Sequence, residues 1–229
     1  MRRPALALCA ALALAGCGSG SHAKTTSTPT AAAATAAQQP AGCSRVAAPT
    51  AKGRQALGRP TTRLTAGRRY TVALRTNCGT IDIRLAATQA PRTAASFAAL
   101  VRRGFYDGLT FHRIAKGPSG EDFVIQGGDP LGTGLGGPGF TVVEPPPSDL
   151  RYTRGTVAMA KTQAEPSGAS GSQFFIVTAA DAGLPPDYAL VGRVVGGDDA
   201  VRRISQVPAD DRERPRTPVV IVKATLRTG

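Results

Sequence analysis

The chain has 229 residues, a formal net charge of +13 and no tryptophan. Its one marked apolar run near the start, residues 5–15, is too short to cross a bilayer. The charge is uneven: no acidic residue precedes Asp82, nine Lys and Arg lie between Lys24 and Arg75, and from Asp82 onward 17 basic residues face 15 acidic ones. The excess therefore belongs to the first third of the chain, and the remainder is close to neutral.

Arg2 and Arg3 form a basic start ahead of that apolar run, and LAGC follows at Leu14 to Cys17. This pattern resembles the lipobox of bacterial lipoproteins, in which the cysteine is lipidated and becomes the new first residue. The alternative is an ordinary secretory signal with an incidental Cys17. A small, polar stretch follows at once, which favours the lipoprotein reading. Residues 1–16 are expected to be a lipoprotein signal peptide, with Cys17 as the lipid attachment point. Acyl chains would anchor the protein in the cell envelope, on the outer side of the cytoplasmic membrane, without spanning it.

Residues 17–67 are rich in Ala, Thr, Ser, Gly, Pro and Gln and have little to bury. They are expected to form a flexible basic tether. As a coil, some 45 residues would reach about 35–40 Å. Its charge suits anionic headgroups or an acidic wall polymer; a merely solvated basic bias is the plainer alternative. Nucleic acid is not expected as a partner, since no basic motif is interleaved with aromatic residues. Of four cysteines, Cys9 leaves with the signal and Cys17 takes the lipid, so Cys43 and Cys78 remain. An oxidising compartment favours their pairing, with two free thiols as the alternative. A disulfide across that loop would add about 4 kcal/mol by chain entropy.

Residues 68–229 are expected to fold as one domain. TVALRT (Thr71 to Thr76) and TIDIRLA (Thr80 to Ala86) alternate apolar and polar residues, as half-buried strands do. Asn77, Cys78 and Gly79 read as the turn of a hairpin. Pro91 opens a helix to about Arg103, with Gly104 at its C-terminal end. Strands are expected near Phe111 to Ile114, Phe123 to Gln126, Thr156 to Ala160, Gln173 to Thr178, Ala189 to Val195 and Val219 to Leu226. A second helix fits Asp198 to Ser205. Many short strands with two helices make the domain mainly β, an antiparallel barrel or sandwich.

Two separated motifs narrow this. FHRI (Phe111 to Ile114) with FVIQGGDP (Phe123 to Pro130), and GSQFFIV (Gly171 to Val177), resemble the proline pocket of the cyclophilins, the peptidyl-prolyl cis-trans isomerases. The resemblance runs from about Tyr70 to Leu226. It implies a closed eight-stranded antiparallel barrel capped by two helices. It also implies isomerisation of X-Pro bonds, with proline-containing exported polypeptides as substrates. Such chemistry needs no nucleophile, metal or cofactor, and none is expected here.

By the same resemblance, Arg113 is the catalytic donor, Gln126 holds it or the substrate backbone, and Phe123 belongs to the catalytic set. Phe175, Leu184 and Val124 line the pocket; Val124 stands where methionine is common. Gln173 sits in the groove, and Tyr188 occupies a position that carries histidine or tyrosine. In AMAKT (Ala158 to Thr162), Ala160 and Lys161 occupy positions whose backbone pairs with substrate; Lys161 replaces the usual asparagine. On a regular strand Arg113 would share a side with Phe111 and oppose His112. Phe174 is expected in the core and Phe175 in the pocket.

His112 has no second ligand or base partner evident, since His22, the other histidine, lies in the tether. It reads as a hydrogen-bonded core histidine, not a metal ligand. Gly132, Gly134 and Gly137 mimic a dinucleotide-binding spacing, but no strand–turn–helix surrounds them. They read as a glycine-rich loop beside the groove. Residues 115–122 form a longer loop than usual between the arginine and phenylalanine motifs, and the sequence leaves open whether it reshapes or gates the groove. Gly183 replaces a tryptophan that helps bind cyclosporin, so weak inhibition is expected. A non-catalytic proline-peptide binding or chaperone module is the alternative function; it would need the pocket but not Arg113. Nothing in the sequence demands oligomerisation, and a monomer is expected.

Overall fold

The computed structural model describes residues 41–229. The expected signal peptide, Cys17 and the first part of the tether lie outside the described residues, as does His22. Ten strands and two helices follow in the order β1 (Tyr70–Thr76), β2 (Gly79–Leu85), α1 (Pro91–Arg102), β3 (Phe111–Lys116), β4 (Asp122–Gly127), β5 (Val142–Val143), β6 (Thr156–Met159), β7 (Ala169–Ser170), β8 (Phe174–Val177), β9 (Leu190–Gly196), α2 (Asp198–Ser205) and β10 (Ile221–Thr228).

Eight strands form one curled antiparallel sheet in the order β10-β1-β2-β9-β6-β8-β4-β3. The ends of this order approach each other just before β3: Thr110 bridges Val220, and Phe111 N donates to Val219 O at 2.9 Å. The expected eight-stranded, helix-capped architecture is the one found. The short pair β5–β7 was not foreseen, because two-residue strands carry no periodicity.

The barrel is filled by Val72, Leu74, Ile81, Ile83, Ile114, Ile125 and Val157, all within 1 % of full burial. Phe174 stands at the centre of an aromatic group, edge-on to Phe97 (5.5 Å), Tyr106 (5.6 Å) and Phe111 (5.8 Å). Helix α1 begins with Pro91 and has no capping side chain of its own. The Glu144 carboxylate, beyond β5, instead accepts from Arg92 N (3.1 Å) and Thr93 N (2.6 Å), so two of the free donors of the first turn are met from a distance.

The tether expectation needs correction over its described part. Residues 43–67 have neither helix nor strand, yet they lie along the barrel as a strap. Cys43 is bonded to Cys78 in the β1–β2 turn. Asn77 exchanges bonds with Ser44 in both directions, at 2.7 and 2.8 Å. Lys52 N donates to Pro130 O (2.9 Å), and Leu57 N to Pro138 O (2.8 Å). Lys52 Nζ reaches the carbonyls of Gly104 (3.2 Å) and Phe105 (2.8 Å), just past the end of α1. Such carbonyls lack helical partners, so a lysine there is held rather than free. Leu57 and Leu64 also pack against the core.

Candidate functional site

The groove is built where strand regularity fails twice. Phe111 pairs with Gly127 and Arg113 with Gln126, so β3 carries an extra residue, His112, against β4. This bulge resets the alternation. Phe111 and Ile114 point into the core, while Arg113 emerges on the outer side; Phe111 and Arg113 therefore do not share a face as a regular strand would have them. A second irregularity lies between Ala115 and Lys116, where Phe123 is the extra residue of β4. That allows Phe123 to join Val124 outside the core, although they are neighbours in sequence.

Arg113 is then fixed from two sides. Its Nε donates to Glu213 Oε2 at 2.5 Å, and its Nη1 donates to Gln126 Oε1 at 3.1 Å. Gln126 Nε2 donates to Gln173 Oε1 (3.0 Å), and Gln173 Nε2 to the carbonyls of Gly134 and Gly136, both at 2.9 Å. The result is a continuous row, Glu213–Arg113–Gln126–Gln173–glycine loop, open to solvent along its length. The Arg113 and Glu213 side chains are each 37 % exposed.

Beside this row lies a separate apolar cluster. Val124, Phe175, Ala115, Tyr152, Ala158 and Val177 are buried, with Phe123, Leu184, Tyr188 and Ala160 packed against them. Phe175 meets the Tyr188 ring edge-on at 5.4 Å. Tyr152 places Tyr188: its hydroxyl donates to Tyr188 O (2.6 Å) and accepts from Tyr188 N (2.9 Å). Burial pushes the Tyr152 phenol up to about 12, so it keeps its donor proton at any physiological pH.

The glycine-rich loop is wound about one buried carboxylate. Asp129 accepts from Leu131 N (2.8 Å), Thr133 N (2.8 Å) and Gly134 N (2.5 Å). Gly128, which launches the loop, has φ 88°, and a Cβ there would lie 2.5 Å from Ser172 O. Only glycine fits that approach. This loop, Gln126, Gln173, Ala160, Lys161 and the strap residues Arg54 and Gln55 line a groove of about 580 Å³.

Other placements differ from expectation. The Lys161 side chain is 5 % exposed and pairs with Asp187 at 2.6 Å, over the Tyr188 ring. Ala160 N already donates to Gln173 O at 2.8 Å. His112 is the bulge residue; burial lowers its imidazole pKa, and neither ring nitrogen makes a well-formed hydrogen bond. The expected hydrogen-bonded core histidine is thus absent. Residues 117–121 make a closed hairpin turn, with Gly117 N on Glu121 O (2.8 Å) and Lys116 paired with Asp122 (2.5 Å). Gly183 has φ 63°, and a Cβ there would meet nothing within 4 Å. Among the described residues no cluster of His, Cys, Asp and Glu could hold a metal ion.

Glu213 was missed. It lies 100 residues from Arg113 in sequence, in the loop before β10, where nothing in the local pattern marks it.

Comparison with known proteins points in one direction. The model of the "Cyclophilin type peptidyl-prolyl cis-trans isomerase/CLD" family matches residues 71–226. Peptidyl-prolyl cis-trans isomerase-like 1 of Neurospora crassa is 42 % identical over 158 residues, covering 68 % of this chain and 93 % of that protein. Peptidyl-prolyl cis-trans isomerase A of Mycobacterium tuberculosis is 35 % identical over 173 residues, covering 68 % and 91 %. The crystal structure of a cyclophilin type peptidyl-prolyl cis-trans isomerase of Cryptosporidium parvum superposes with a TM-score of 0.64 at 30 % identity, covering 70 % of this chain and 99 % of that one. The same protein in the presence of the dipeptide Ala-Pro gives 0.62 at 31 % identity, with 69 % and 99 % covered.

Proposed function

The chain belongs to the cyclophilin-type peptidyl-prolyl cis-trans isomerases, and from that premise we propose that it isomerises X-Pro bonds in exported polypeptides, tethered through a lipid on Cys17 to the outer side of the cytoplasmic membrane. It works as a monomer and needs no cofactor. The lipobox-like LAGC at Leu14 to Cys17 supports the anchorage, and the disulfide Cys43–Cys78 fits an oxidising compartment.

The observation that carries the reading of the site is the row of polar groups beside the apolar cluster. The uncatalysed barrier is ~18–20 kcal/mol and comes from amide resonance. A catalyst must hold the twisted amide better than either planar form. The cluster of Phe123, Val124, Phe175, Leu184 and Tyr188 grips the proline ring by burying it. Arg113 has five N–H donors, of which Glu213 and Gln126 occupy two. The remaining donors are free for the prolyl nitrogen as it loses conjugation and gains a lone pair. The guanidinium is already oriented, so little reorganisation accompanies the step. Gln126, bonded to Arg113 and Gln173, fixes that orientation. Ala160 and Lys161 offer main chain beside the groove, and the ion pair of the buried Lys161 with the half-exposed Asp187 holds this segment in place.

The test is a proline-isomerisation assay on the full chain beside Arg113→Ala, with a peptide panel varying the residue before proline. We expect kcat/KM to fall by about 10²–10³ in the variant, as when a preorganised donor is removed. Saturable peptide binding in both proteins without turnover in either would make the barrel a proline-peptide binding module and overturn the catalytic roles. Anchorage is tested by fractionation: the full chain should sediment with membranes, and Cys17→Ala should not. A parent chain found in the soluble fraction would refute the lipid anchor.

A further inference from the structure

Among the described residues, Glu213 is the one non-glycine held at a left-handed backbone angle, φ 61°. Such a conformation is unfavourable for a side-chain-bearing residue and persists only where its surroundings impose it. Here they do. Asp210 accepts from Arg212 N (2.9 Å) and Arg214 N (2.8 Å) through one carboxylate oxygen, and its carbonyl accepts from Glu213 N (2.8 Å). Asp210 N donates to Arg214 O (2.9 Å), and Ala209 bridges Pro215. The loop between α2 and β10 is thereby closed, with Glu213 at its turn. Its tip lies on β3 by two contacts from one residue: Ile114 N donates to Glu213 O at 2.8 Å, and Arg113 Nε donates to Glu213 Oε2 at 2.5 Å.

We propose that Glu213 is a positioning residue for the isomerisation, holding the Arg113 guanidinium in its productive plane from the side opposite Gln126. With an acceptor on Nε and another on Nη1, the planar guanidinium cannot turn about its stem without breaking a charge-assisted bond. The unengaged Nη2 is left as the edge presented to the substrate. The left-handed angle at Glu213 is the local cost of bringing a carboxylate to that point. Gln126 alone would leave rotation about the Nη1 contact open, because one neutral hydrogen bond fixes a distance and not a plane.

The decisive comparison is Glu213→Gly in the full chain. Glycine adopts φ near 60° without strain, so this variant removes the carboxylate while favouring the loop's backbone. We expect thermal stability at least equal to the parent, kcat lower by about tenfold, and KM within twofold, as for a misplaced catalytic group. Glu213→Gln, whose amide oxygen can still accept from Nε, should recover most of that loss. In an Arg113→Ala background, Glu213→Gly should change nothing further, since the two act as one unit. Parental kcat in Glu213→Gly would overturn the proposal. So would a gain in kcat, which would make the carboxylate a competitor for the donor. An equal loss in the Arg113→Ala background would also overturn it, leaving Glu213 with a purely structural part.

Discussion

Phe174 and Phe175 are neighbours on β8, yet they serve two regions with opposite demands. Phe174 faces the barrel interior, fully buried among Phe97, Tyr106 and Phe111. Phe175 faces the groove, beside Tyr188 and Val124. The core is sealed almost wholly by apolar contact, with the Tyr106 hydroxyl donating to Ser172 O at 3.0 Å, so its residues answer chiefly to packing. The groove cluster is half-walled: buried side chains form its floor, while Phe123, Leu184 and Tyr188 are left partly open for a guest. One strand separates the two because successive side chains point to opposite faces. The lesson is that the sheet itself divides stability from binding, and substitutions on either side should divide in the same way.

Phe174→Ala is the largest test of that division. It should cost about 3–5 kcal/mol by denaturant unfolding, a large share of the ~5–15 kcal/mol typical of a domain. The fraction that stays folded should keep near-parental kcat/KM. A stable Phe174→Ala variant with weakened substrate binding would break the comparison.

Next comes the strap, which touches both regions, through Leu57 and Leu64 at the core and Arg54 and Gln55 at the groove. Cys43→Ser with Cys78→Ser should lower stability by about 2–4 kcal/mol through the lost cross-link, while kcat/KM on a short peptide stays within twofold. Equal stability of the double variant and the parent would show that the strap's hydrogen bonds, led by Lys52, suffice without the disulfide.

Phe175→Ala should cost less stability than Phe174→Ala, about 2 kcal/mol for the lost burial, because water can enter the groove. Its main effect should be a raised KM at little-changed kcat. The reverse ranking of the two phenylalanines would refute the partition.

The smallest effect concerns acid. The Asp187 carboxyl is held below its ordinary value of 3.8, first by its hydrogen bond from Lys161. A depressed folded pKa supplies stability that is present above the unfolded value and lost as pH falls through the folded one. Lys161→Met should therefore narrow the difference in Tm between pH 6 and pH 3. An unchanged difference would mean that the Lys161–Asp187 pair contributes nothing to acid lability.

Much of this was legible in one dimension. The β1–β2 hairpin and helix α2 lie where periodicity and turn residues put them, and α1 ends one residue short of Arg103. The FHRI, FVIQGGDP and GSQFFIV motifs drew Arg113, Gln126, Gln173 and Phe175 to one place. The failures share a cause. The facing of Phe111 and Arg113 came out wrong because a bulge is a property of the pairing between two strands, not of either strand. The ion pair of Lys161 left no mark on the local pattern because its partner, Asp187, is distant in sequence. The strap looked free because its small residues promise little burial, whereas main-chain bonds and one disulfide hold it.

The sequence by itself determined the family, the mainly β architecture and the residue types of the candidate site, because these rest on local pattern and spacing. Tertiary structure alone decided which way Arg113 points and that a carboxylate from residue 213 meets it. Those depend on register and loop closure, where a shift of one residue turns a side chain from core to solvent.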